Sequence, residues 1–212
     1  MFTEKQSEIF ITVDRISCFG AGSMGQEEIK YDEFADRMRV ANENAEVLIG
    51  YEPSVRNVIL YLSMCVAVDC SDIWGSEESL DEYIDVLKNI SQEAKNRKSE
   101  WNWKDLTLDD RAEPEGNDRL ELFMDAQGFL YHILDECKKE YGEPSENNLF
   151  AFEETSNMVV YMLSNVCVRC DRTDEALEYA CSSIRKTFKF ISEECTLVPE
   201  EELEKKEESS RE

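Results

Sequence analysis

The chain has 212 residues, 42% of them hydrophobic, which is enough for a buried core and argues against wholesale disorder. It carries 48 acidic and 23 basic residues, a formal net charge of −25. A field of that sign repels nucleic-acid backbones and anionic membranes, which disfavours direct binding to either, and it draws basic proteins.

The amino terminus, Met1-Phe-Thr-Glu-Lys-Gln-Ser-Glu8, has no basic stretch leading into an apolar run, so no signal peptide is read there. Ile9, Phe10, Val13, Ile16 and Cys18 approximate one face of a first helix over Thr3–Phe19. After the break Gly20-Ala-Gly-Ser-Met-Gly25, a second helix is expected from Gln26 to Ile49, with Ile29, Phe34, Met38, Ala41, Ala45 and Leu48 inward and Gly50 ending it. A third, from Pro53 to Cys70, is apolar nearly all round and should be central. Ser79-Leu-Asp-Glu82 reads as a capping box opening a fourth helix to Arg97. Residues 98–117 change character: Trp101-Asn-Trp103 leads into the acidic stretch Asp109-Asp-Arg-Ala-Glu-Pro-Glu-Gly116, read as a linker. Asp118–Tyr141 is an amphipathic helix with Leu120, Phe123, Met124, Gln127, Leu130, Leu134 and Cys137 along one stripe. Gly142-Glu-Pro-Ser145 breaks it, the next helix runs to Cys170, and Asp171 or Thr173 caps a last one reaching Glu194. Beyond Pro199 the tail is Glu, Lys and Ser without periodicity, expected to be a solvated or disordered end.

The chain also repeats itself. Asn57-Val-Ile-Leu-Tyr-Leu-Ser-Met-Cys-Val-Ala-Val-Asp-Cys70 returns as Asn157-Met-Val-Val-Tyr-Met-Leu-Ser-Asn-Val-Cys-Val-Arg-Cys170 without a gap. Glu-Pro-Ser precedes both copies, at 52–54 and 143–145, and Leu80 and Leu177 follow them at similar places. The expected fold is therefore all-α: a bundle of about seven helices, made of two related three-helix units plus an N-terminal helix. One domain spans 1–197, with unit one over 26–97, the linker over 98–117 and unit two over 118–195; residues 198–212 form the acidic tail.

Several patterns invite a chemical reading. Gly20-x-Gly-x-x-Gly25 has dinucleotide-turn spacing, but Gln26-Glu-Glu28 would bring carboxylates to the phosphate, and no alternation of strands and helices follows. Cys167-Val-Arg-Cys170 has no second pair for zinc, and the repeat aligns Cys167 with Ala67, as core packing would. The other cysteines lie mostly in apolar helical stretches, so the eight are read as free thiols of a reducing cytosol. His132 is the sole imidazole, which excludes a paired-histidine site. No catalytic residue, metal or cofactor is assigned.

An all-α, strongly acidic, motif-poor chain of this size resembles in type, over its whole length, the all-α immunity proteins of bacterial polymorphic toxin systems. That resemblance implies a cytoplasmic protein neutralising a cognate toxin, often a basic nuclease. The function expected is sequestration of a basic protein partner. A helical-repeat adaptor holding a peptide in an inter-repeat groove is the alternative; an enzyme using cleft carboxylates and a nucleic-acid mimic are further readings. The partner-binding candidates are the acids after each core segment, Asp81, Glu82 and Asp85 with Asp174, Glu175 and Glu178, and the tryptophans Trp74, Trp101 and Trp103 as aromatic anchors.

Overall fold

The computed structural model describes residues 32–73 and 77–194. They form six α-helices: α1 Glu33–Tyr51, α2 Val55–Ile73, α3 Glu77–Asn96, α4 Gly116–Tyr141, α5 Leu149–Arg169 and α6 Thr173–Glu194, with one 3-10 turn at Lys98–Glu100. The expected N-terminal helix, the glycine-rich break, Trp74 and the tail lie outside the described residues. Some expected boundaries are corrected. Gly50 is helical and α1 runs on to Tyr51. The fourth predicted helix is already formed at Glu77, so Ser79 sits inside it and the supposed capping box does not start it. Gly142 does stop its helix: it takes φ +81 and donates its N–H to Lys138 O at 2.8 Å.

The repeat has a physical cause. Every residue from Val58 to Cys70 and from Met158 to Cys170 is buried, so α2 and α5 need neighbours on all sides. Those neighbours come mainly from the opposite unit. α2 lies against α4 and α6, α5 lies against α1 and α3, and α2 and α5 cross each other. Exchanging the two units maps each of these pairs onto another, a pseudo-two-fold. The units are therefore interlocked, each helix burying its apolar face chiefly on the other unit's central helix, and not two bundles side by side.

The stripe expected on α4 is corrected too. Leu120 and Met124 are 48% and 62% exposed, and the buried face is Phe123, Ala126, Phe129, Leu130, Ile133 and Cys137. The supposed linker is a strap fixed to the bundle. Leu106 and Leu108 are buried. Leu106 N–H donates to Arg169 O at 3.0 Å and Leu106 O accepts from Asp171 N–H at 2.9 Å. Trp101 and Trp103 stack with centroids 4.1 Å apart, and both pack on the core.

Candidate functional site

The described surface holds a cleft of about 530 Å³ where α3, α5 and the end of α4 meet. Its walls are Tyr83 and Val86 of α3, Leu134 of α4, Pro144, and Leu149 and Phe152 of α5, with Glu82, Lys138 and Glu153 among the charged lining. Val86 and Leu149 remain 42% and 49% exposed, so apolar surface is left facing water. Beneath it lies a buried carboxylate. Asp69 accepts from Tyr83 Oη at 2.8 Å and from Ser156 Oγ at 2.9 Å, which locks α2, α3 and α5 together and fixes the cleft floor.

The pseudo-two-fold gives this cleft a twin. α3 begins at Glu77 and α6 at Thr173, 96 positions later. In that register the buried Leu80, Ile84, Leu87 and Ser91 match the buried Ala176, Ala180, Ser183 and Thr187; Leu80 thus pairs with Ala176 and not with Leu177. Tyr83 then corresponds to Tyr179, and Ser156 to Arg56 through the 100-residue repeat. At the twin the Arg56 guanidinium lies over the Tyr179 ring, 4.3 Å from its centroid. The strap closes the rest. Asp109 accepts from Ser54 Oγ at 3.0 Å and from Arg56 N–H at 3.2 Å, at the start of α2. Arg172 donates to Leu108 O, and to Asp110 at 2.8 Å. Burial opposes ionisation of Asp109, yet hydrogen bonds from Arg56, Ser54 and Arg111 outweigh it and hold the carboxyl below its ordinary range. The cleft stays open because a serine replaces the arginine and no described segment covers it. It is also enlarged, since α5 begins at Leu149, earlier than Thr155, the counterpart of the first residue of α2.

The buried pair at the ends of the repeat inverts in sign. Asp69 corresponds to Arg169, which is fully buried. Its guanidinium donates to Lys104 O at 2.8 Å, Asn42 Oδ1 at 3.0 Å and Glu46 Oε1 at 2.5 Å. Asp69 thus organises the open cleft, and Arg169 ties α1 and the strap to α5 beside the covered twin.

The structure does not bring the acids singled out in the sequence together: α3 and α6 run antiparallel, which sets the acids at the start of α3 and those at the start of α6 near opposite ends of the pair. Asp81 pairs with Arg185 at 2.7 Å and Asp174 with Lys95 at 2.9 Å, one bridge near each end. Asp85 pairs with Lys88 at 3.3 Å and Glu175 with Arg172 at 3.1 Å. The α3–α6 face is a ladder of mixed sign, and each of these exposed pairs is worth little on its own. Glu178 is exposed on α6, and Glu82 alone of the six lines the cleft. Trp101 and Trp103 are half-buried; Arg97 lies over Trp101 at 5.6 Å and Phe34 at 5.5 Å, so these indoles staple the strap. Val86, Leu149 and Phe152 escaped the sequence reading. Leu149 and Phe152 sit where α5 overhangs its counterpart, and that mismatch was the available signal.

Cys167 and Cys170 are both buried, at the end of α5. Desolvation pushes the Cys170 thiol up to about 12 and Cys167 well above its ordinary value, so both are thiols at neutral pH, not nucleophiles. Among the described residues no group of three or more His, Cys, Asp or Glu is arranged to hold a metal ion, and no helix is long and apolar enough to cross a membrane. Comparison of the chain with known protein families, with curated proteins and with solved structures finds no match.

Proposed function

We propose that this chain is a binding protein that sequesters a basic protein partner, seating an apolar segment flanked by lysine or arginine in the cleft between α3, α4 and α5. The observation that carries the reading is the cleft itself: exposed Val86 and Leu149 beside Phe152, with Glu82 and Glu153 among its lining, on a chain of net charge −25. Apolar burial supplies affinity, while the carboxylates and the overall field supply orientation and on-rate. Neutralisation of a toxin, as immunity proteins perform, is the setting that fits this mode of action.

The test is fluorescence polarisation with two labelled peptides sharing a Leu-x-Phe centre, one flanked by lysines and one by glutamates. The lysine peptide binds, its affinity falls as salt is raised from about 0.05 to about 0.5 M, which shortens the Debye length from about 14 Å to about 4 Å, and Phe152→Asp abolishes binding. Equal binding of both peptides, or binding indifferent to Phe152→Asp, rejects the reading. A neighbouring gene for a basic toxin, whose product is inhibited by this chain and not by the Phe152→Asp variant, would identify the partner.

A further inference from the structure

We propose that a second pocket, between α2, the start of α4 and the end of α6, binds an amphipathic carboxylate such as a medium-chain fatty acid. It lies at the other end of α4 from the cleft and does not depend on the cleft's role. Its volume is about 390 Å³, within the usual range of small-ligand sites. Met64, Leu120, Phe123 and Phe190 give it an apolar lining, and the Phe123 and Phe190 rings meet edge to face with centroids 5.6 Å apart. Leu120 and Phe190 are 48% and 37% exposed, so apolar surface faces water here too. The pseudo-two-fold shows that this is not a general feature of the packing. The register of 96 matches Lys186 and Phe190 with Ile90 and Ala94, which are both buried. The 100-residue repeat matches Met64 with Ser164, to which Ser91 donates at 3.0 Å. Buried packing at one site is a pocket at the other.

The polar groups define the head of the ligand. The described lining includes Arg119 and Lys186 and no carboxylate, on a chain of net charge −25. Both cations approach one carboxylate of the strap, Glu113, at 2.8 and 3.7 Å. Glu113 shows which head group the pair accepts, yet it does not saturate it. The Lys186 distance is too long for a hydrogen bond, and two cations face one anion. Thr187, next to Lys186 on α6, also lines the pocket; it is 2% exposed, and its Oγ1 has no hydrogen-bond partner among the described residues. A buried hydroxyl left in that state carries a desolvation cost that a ligand oxygen relieves. A carboxylate held between Arg119 and Lys186 supplies that oxygen, and its alkyl chain covers the exposed parts of Leu120 and Phe190.

The experiment is isothermal titration calorimetry of the full chain with decanoate, and with decanol as the uncharged control. One decanoate should bind per chain, and decanol at least about tenfold more weakly. Three variants then divide the site. Lys186→Met removes a cation at an exposed position and should weaken decanoate about tenfold while leaving decanol unchanged. Thr187→Val should weaken decanoate about fivefold, with the fold intact because that hydroxyl has no partner to lose. Leu120→Glu, also at an exposed position, puts a charge in the apolar lining and should abolish binding of both. Far-UV circular dichroism checks that all three keep their helix content. Absence of decanoate binding, equal affinity for decanoate and decanol, or unchanged decanoate affinity in any one of the three variants overturns the proposal. So does loss of decanoate binding in Leu149→Asp, an exposed cleft position, since the acid would then sit in the cleft. Retained decanoate binding in that variant supports the proposal, and the lysine-flanked peptide tests the cleft separately, so the two readings fail independently.

Discussion

The two ends of the bundle are built on one plan and finished differently. At the covered end, Arg56 lies over Tyr179 and the strap crosses with two buried leucines and an aspartate on the start of α2. At the open end Tyr83 keeps its place, Ser156 stands for the arginine, and apolar side chains of α3 and α5 face water. The same difference runs inward, where Asp69 replaces Arg169 as the buried anchor. The two matched units thus differ in having one covered end and one cleft, and the cleft is the surface that the proposed function uses. The asymmetry comes from few residues, and each can be altered.

The largest effect comes from separating the halves. Because α2 and α5 are buried chiefly by helices of the opposite unit, fragments 32–97 and 116–194 lack a core of their own and should each show no cooperative unfolding by circular dichroism; mixing them should restore helical signal. A fragment that melts cooperatively by itself would break the interlocked account. Next is Arg169→Met. It removes the donor to Lys104 O, Asn42 and Glu46 from a fully buried position and should cost about 3 kcal/mol, or roughly 6–12 °C in Tm. The cleft-side counterpart Asp69→Ala, which removes the acceptor of the Tyr83 and Ser156 hydrogen bonds, should cost ~2 kcal/mol. Asp109→Ala should cost about 1 kcal/mol, the usual value of a helix-capping oxygen. The pH dependence of this contact follows from its lowered pKa: its stabilisation is present above the unfolded value of about 3.9 and is lost as pH falls through the lower folded value. Trp101 and Trp103 fluorescence should report strap release in that acid range, and Asp109→Asn should flatten the step.

The smallest effect concerns a polar pair present at one site and absent from its counterpart. Ser91 donates to Ser164 at 3.0 Å. The equivalent residues are Thr187 and Met64, and Thr187 Oγ1 is buried without a hydrogen-bond partner. Thr187→Val should therefore be neutral or stabilising by up to ~1 kcal/mol, whereas Ser164→Ala should cost about 1 kcal/mol. Chemical denaturation of both variants checks the contrast.

The helical class, the central helices and the Gly142 stop were legible because they rest on local periodicity and repeat. The strap was not. Leu106-Thr-Leu108 between acids and a Pro/Gly stretch reads as a linker, and only its seating on Arg169, Asp171 and the start of α2 shows otherwise. The exposure of Leu120 and Met124 was hidden too, since apolar spacing alone cannot choose between adjacent helix faces. The ion pairing of Asp81, Asp85, Asp174 and Glu175 was not legible, because sequence shows charge without its partners; their bases come from Arg185, Lys88, Lys95 and Arg172. The cleft walls come from three helices and belong to both units, so no single window of sequence displays them.

The most direct test of the open end as the working surface is to close it as nature closed its twin. Ser156→Arg offers a guanidinium to Tyr83 and Asp69 as Arg56 covers Tyr179. Titration of the lysine-flanked peptide against this variant should show binding lost, with Tm shifted by no more than about 4 °C. Undiminished affinity for the variant would contradict the account and move the binding surface elsewhere on the chain.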